Sequence, residues 1–338
     1  MPVLTAYFDV SDVSFLLDKG TGEYEFSHFP YAYSVEAFSN QCTQEDFNKA
    51  VIEAVLKEKK IKLSSCDILV GGFLEAPKVG LETKLSVNLL SILHTTDPFY
   101  PFIVNNFSVV TKDAVLSFEN CPKKSPGFEE NEYDEIGNLS IYPQISPIDI
   151  PSVSDMDRNI IEKAKNVNFG YLPQMPIVFA GSRFSRPKSI DYLDYILALD
   201  LVRNQGIYNL YLDRKNAVVL TTMLKMYKKD IEANPLQYTE PLGTLVNSPG
   251  DTECLVSSEV GTGQFFDVKK DNIFLVPADL SGQETVSVKN ILLGSVKDFV
   301  HGGKMGLIVD TREGKDPISD NVRVFNDCVR QISLCTPR

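Results

Sequence analysis

The chain has 338 residues, with 33 Lys and Arg against 45 Asp and Glu, a formal charge of -12, and 43% hydrophobic and 23% charged residues. That balance suits a globular protein of two or three units and argues against a disordered or fibrous class. The acidity argues against nucleic acid or anionic lipid as partner, since such binding runs on clustered Lys and Arg that release counterions.

No stretch approaches the roughly 18 to 20 apolar residues of a membrane helix, and Met1 to Val10 lacks the basic start and apolar run of a signal peptide. The expected compartment is therefore the cytoplasm, with no direct membrane insertion. Cys42, Cys66, Cys121, Cys254, Cys328 and Cys335 form no C-x-x-C pair and lie at no metal-ligand spacing with His, so they read as free thiols.

In chain order, alternation predicts strands over Val3 to Val10, Val13 to Leu17 and Glu23 to Phe29, with Asp18 to Gly22 as a turn. Thr43 with Asp46 caps a helix whose stripe is Phe47, Ala50, Val51, Ala54 and Val55, closed by Lys57, Lys59 and Lys60. Asp67 to Phe73 reads as a buried strand and Lys84 to Leu93 as a helix. Pro101 to Asn105 and Val109 to Phe118 read as further strands.

From Glu119 to Asp155 prolines and an acidic run mark a linker or large surface loop. A second α/β stretch follows: strand Ile177 to Ala180, helix Ile190 to Arg203, Gly206 as its stop, strand Ile207 to Leu212 and helix Arg214 to Lys229, implying two crossover units. After Pro235 short strands are expected at Glu253 to Val260, Gln264 to Val268, Ile273 to Val276, Thr285 to Val288 and Gly306 to Asp310. Asn321 to Ile332 is expected as a closing helix, and no internal repeat is visible.

Three meandering strands followed by alternating helices and strands resemble the order of one half of an actin-like, ribonuclease-H-like ATPase domain. That order directs attention to turns that could hold phosphate and to an Asp that could hold a metal. Asp9-Val10-Ser11-Asp12-Val13-Ser14 half-fits an Asp-x-Gly-Ser/Thr turn: Asp9 and Ser14 suit, but Ser11 replaces Gly and Asp12 repels phosphate. A second candidate turn, Ile103-Val104-Asn105-Asn106-Phe107-Ser108, lacks the Asp-x-Gly-Gly that would seat the other side of a nucleotide. The best local anion turn is Ala180-Gly181-Ser182-Arg183, followed by Arg186. His28, His94 and His301 fall in no nucleophile or metal motif.

Val300-His301-Gly302-Gly303-Lys304-Met305-Gly306-Leu307-Ile308-Val309-Asp310-Thr311-Arg312, with Gly314, Pro317 and Arg323, resembles the closing signature of the glutamate mutase L family. Ile177 to Ser182, Ala198 to Asp213 and Leu242 to Val246 resemble earlier pieces of that family in the same order, so the resemblance spans roughly residues 175 to 325. It implies an actin-like ATPase fold and assistance to cobalamin-dependent mutases. The phosphate turns depart from the family pattern, and the chain is shorter than typical members.

The expected architecture is a two-lobed actin-like α/β scaffold with a β-rich C-terminal module. Its divisions are 1–118 (first lobe), 119–155 (linker), 156–235 (second lobe) and 236–338 (β-rich module). The expected function is a non-catalytic accessory or assembly protein that binds a protein partner. If it holds a nucleotide, that ligand is ATP with Mg, at Asp9, Ser11, Ser14, Gly181, Ser182 and Arg183, with Asp9 beside the metal. Two alternatives are an ATP-dependent reactivating chaperone of a cobalamin-dependent mutase and the inner scaffold of a pilus- or divisome-type machine.

Overall fold

The computed structural model describes residues 1–9, 12–30, 43–73, 76–94, 102–104, 108–110, 115–117, 176–180, 198–200, 202, 205–231, 234–258, 263–276, 284–290, 294–300 and 303–313. The expectations for 119–155, for the helix after Asn321 and for most of the helix from Ile190 to Arg203 lie outside these residues. What is described is a strand-rich mixed α/β protein built on three sheets.

The first sheet holds β1 (Val3–Phe8), β2 (Asp12–Asp18), β3 (Tyr24–Pro30), β4 (Asp67–Gly72) and β5 (Leu85–Asn88) in the order β3-β2-β1-β4-β5. β1, β2 and β3 form an antiparallel meander, while β4 joins β1 and β5 joins β4 in parallel. The connection to β4 runs through α1 (Gln44–Glu58), and Thr43 caps it by accepting from the Asp46 N–H. Strand alternation sends Leu4, Ala6, Phe8, Val13, Phe15, Leu17, Ile68 and Val70 to one face, where Ile52, Val55 and Leu56 of α1 complete a core.

The helix expected from Lys84 begins only at Leu89, as α2 (Leu89–His94), because Leu85-Ser86-Val87-Asn88 alternates in strand fashion and pairs with β4.

The second sheet has eight strands. β6 (Phe102–Val104), β7 (Ser108–Val110) and β8 (Val115–Ser117) meander antiparallel, and β9 (Ile177–Ala180) and β10 (Gly206–Asp213) follow in parallel. Within the stretch expected as a strand from Val109 to Phe118, the described residues belong to two antiparallel strands, β7 and β8. The run β8-β7-β6-β9-β10 repeats the order and directions of the first sheet, although no repeat shows in the sequence. β6 to β8 pair into this second sheet, not the first.

The order then extends through β11 (Glu240–Asn247), β17 (Leu307–Asp310) and β14 (Ile273–Val276). The second crossover expected from the sequence is absent: β11 runs antiparallel to β10, and the helix between them, α3 (Ala217–Tyr227), leaves its own sheet to lie on the first. The remaining strands, β12 (Thr252–Ser258), β13 (Gln264–Val268), β15 (Glu284–Asn290) and β16 (Gly294–Val300), form an antiparallel sheet ordered β13-β12-β15-β16. Cys254, Val256, Val268, Val286 and Val288 from that sheet meet Ile207, Val246, Leu307 and Val309 from the second, making a sandwich core. The C-terminal strands therefore divide between two sheets, with β11, β14 and β17 in the large one.

Candidate functional site

The face of the first sheet opposite α1 carries Thr5, Tyr7, Ser14, Leu16, Asp18, Leu69 and Gly71 by alternation, and α3 covers it. α3 starts from the end of β10. The Asp213 carboxylate turns back onto the first turn of the helix and accepts from the backbone N–H groups of Lys215 (3.2 Å), Ala217 (2.8 Å) and Val218 (2.9 Å). Burial pushes its pKa up from the ordinary carboxylate value, against the pull of those three donors. The positive end of this helix is thus filled by a carboxylate of the chain itself.

Asn216, in the left-handed conformation at φ 53°, points across to the first sheet. Its Nδ2 donates to Ser14 Oγ at 3.1 Å in a fully buried bond, and Ser14 Oγ lies 2.9 Å from His28 Nδ1 on the neighbouring strand. Tyr7, Ser14 and His28 stand in register across β1, β2 and β3, so the helix start sits over one cross-strand row. Asp9 follows β1 at the same end of the hairpin and is 9% exposed.

The other end of α3 is fastened separately. Lys228 Nζ donates to Asp18 Oδ2 at 2.6 Å, and Tyr227 Oη donates to Asp67 Oδ2 at 2.8 Å, a bond that raises the Tyr227 pKa. Between the ends, contact is close enough that a Cβ on Gly71 would lie 2.6 Å from Met223 Sδ and 3.2 Å from Ile92 Cδ1. Tyr238, from the 3-10 turn Pro235–Tyr238, continues the cover onto β3, with its ring 4.9 Å from Phe26 and 6.0 Å from Tyr24. Among the described residues, Thr5 Oγ1 and Thr221 Oγ1 are buried without a hydrogen-bond partner.

The glycine-rich signature before Arg312 has a structural account. Gly303 and Gly306, the latter at φ 66°, close a tight turn through the Gly306 N–H to Gly303 O bond of 3.0 Å. The turn docks on β11 so tightly that a Cβ on Gly303 would lie 2.5 Å from the Leu242 carbonyl carbon, and one on Gly243 2.7 Å from Gly306 O. β17 then runs parallel to β11 and ends in Asp310, which is fully buried and receives Arg312 through Nε (2.9 Å) and a terminal nitrogen (2.8 Å). This fork is the geometry of a structural ion pair.

Of the expected site residues, the structure brings Asp9 and Ser14 to one hairpin end; Ser11, Gly181, Ser182 and Arg183 lie outside the described residues. His28, Asp213 and Asn216 were missed. Asp213 ahead of a helix was a readable capping signal, whereas nothing in the spacing linked Asn216 to a serine 202 residues away. Among the described residues no group of His, Cys, Asp and Glu could hold a metal, and no helix is long and apolar enough to cross a membrane.

No known protein family matches the chain, and no curated protein does. Among solved structures it is similar to the activator of the 2-hydroxyisocaproyl-CoA dehydratase from Clostridium difficile with bound ADPNP. Identity is 10% and the TM-score 0.39, over 69% of this chain and 99% of that chain.

Proposed function

We propose that this is an actin-like, two-lobed protein of the ribonuclease-H-like kind, working as a non-catalytic accessory or assembly scaffold for a protein partner. The twice-used order of five strands, with the second strand reversed, supports the architecture. In this reading the first lobe ends before residue 102, since β6 opens the second run.

One observation carries the non-catalytic part. At the hairpin where a phosphate turn would need open backbone N–H groups, Ser14 is fully buried and engaged by Asn216, while Asp213 occupies the start of α3. An incoming triphosphate would meet a buried carboxylate and a filled seam, both unfavourable to an anion. Asp9 is the residue suited to magnesium if a nucleotide does enter, and the resemblance to glutamate mutase L would then point to an ATP-dependent reactivating role.

Isothermal titration with Mg-ATP and Mg-ADP, run beside a phosphate-release assay, tests this. Silence in both is expected. Micromolar binding with turnover that Asp9→Ala abolishes without unfolding the chain would replace the scaffold reading by the ATPase.

A further inference from the structure

We propose that α3 is a ligand-independent cross-tie that makes the first and second sheets one cooperative unit. The proposal rests on the closed junction described above and does not depend on which partner the protein serves.

α3 is an excursion from the second sheet: it leaves at the end of β10 and the chain returns into β11, the strand hydrogen-bonded beside β10. Both of its ends are therefore anchored in one sheet while its body lies on the other. Every residue from Ala217 to Leu224 is buried, so the helix has no solvent face along that stretch. A helix buried on every side is a core element, and separating it from the first sheet would expose Leu16, Leu69 and Met223 together. Polar contacts then fix its position at each end: Asn216 on Ser14 at the start, and Tyr227 on Asp67 with Lys228 on Asp18 at the finish. Gly71 provides the space that Met223 Sδ occupies, which fixes the helix along the strand as well as across it. A connection of this kind needs no bound ligand to span the two sheets.

Hydrogen exchange of the full chain, read by mass spectrometry without nucleotide, is the test. Amides of α3 should exchange as slowly as those of β1 and β4 in the first sheet and β10 and β11 in the second, because all of them open only with the whole unit. Exchange of α3 about tenfold or more faster than β1 would mean that it opens alone and would overturn the proposal. The double variant Tyr227→Phe with Lys228→Ala loosens the far end without touching the core. It should speed exchange in α3, β1, β4, β10 and β11 by a common factor, and acceleration confined to α3 or to one of the two sheets counts against the tie. Nucleotide is absent from both arms, so the outcome is independent of whether Mg-ATP binds.

Discussion

The two five-strand runs share an order but are closed in different ways. The first is capped by α3, borrowed from the other sheet and seated through Met223, a flexible side chain that fills irregular space. The second is extended by β11, β17 and β14 and closed by backbone against backbone, with Gly303 on Leu242 and Gly243 on Gly306. A side-chain seam can adjust when disturbed. A backbone seam, or a buried ion pair such as Asp310 with Arg312, has nothing that can yield.

That contrast can be broken at several points. Arg312→Ala strips a fully buried carboxylate of its fork and should cost about 3–5 kcal/mol in denaturant unfolding. Gly303→Ala places a methyl group against main-chain atoms and should cost roughly 3 kcal/mol, with no rescue from substitutions at nearby side chains. Gly71→Ala should cost less, about 1–3 kcal/mol, and Met223→Ala should relieve part of it in a double-mutant cycle. Additivity of those two changes would show that the side-chain seam is as unyielding as the backbone one.

The smallest perturbation uses the thiols as reporters. Burial pushes the Cys254 pKa up to about 12 in the sandwich core, and burial also raises that of the half-buried Cys66 beside the first sheet. A thiol with a raised pKa offers little thiolate, so both should react slowly with iodoacetamide, Cys254 only on opening of the sandwich. Faster labelling of Cys254 than of Cys66 would reverse the assignment of the more rigid region.

Much of the first sheet was legible because its strands alternate cleanly and Thr43 and Asp46 announce α1. β5 was misread because Leu85 and Val87 adjoin a true helix, and the apolar positions run on without a break. The repeat of strand order was hidden because strand order is a property of pairing, and Phe102–Val104 shares no residue pattern with Val3–Phe8. The second crossover was misjudged for a related reason. The apolar residues of α3 fit any sheet face equally well, and only the contacts of Asn216, Tyr227 and Lys228 decide which one it covers. At the candidate site, Asp9 and Ser14 were found through an imperfect turn motif, while His28 and Asn216 come to Ser14 through topology alone.

The excursion of α3 between adjacent strands also bears on how the molecule assembles. β10 and β11 can pair with α3 in place only if the surface that receives the helix already exists, and the bond from Asn216 to Ser14 closes a separation of 202 residues. Such distant closure is slow, because the loss of chain entropy precedes the gain from contact. The amino-terminal sheet is made first on the ribosome and has its own core with α1. It is therefore expected to fold as the template on which the rest condenses, and pulse-labelled exchange during refolding should find β1, β2 and β4 protected before β10 and β11.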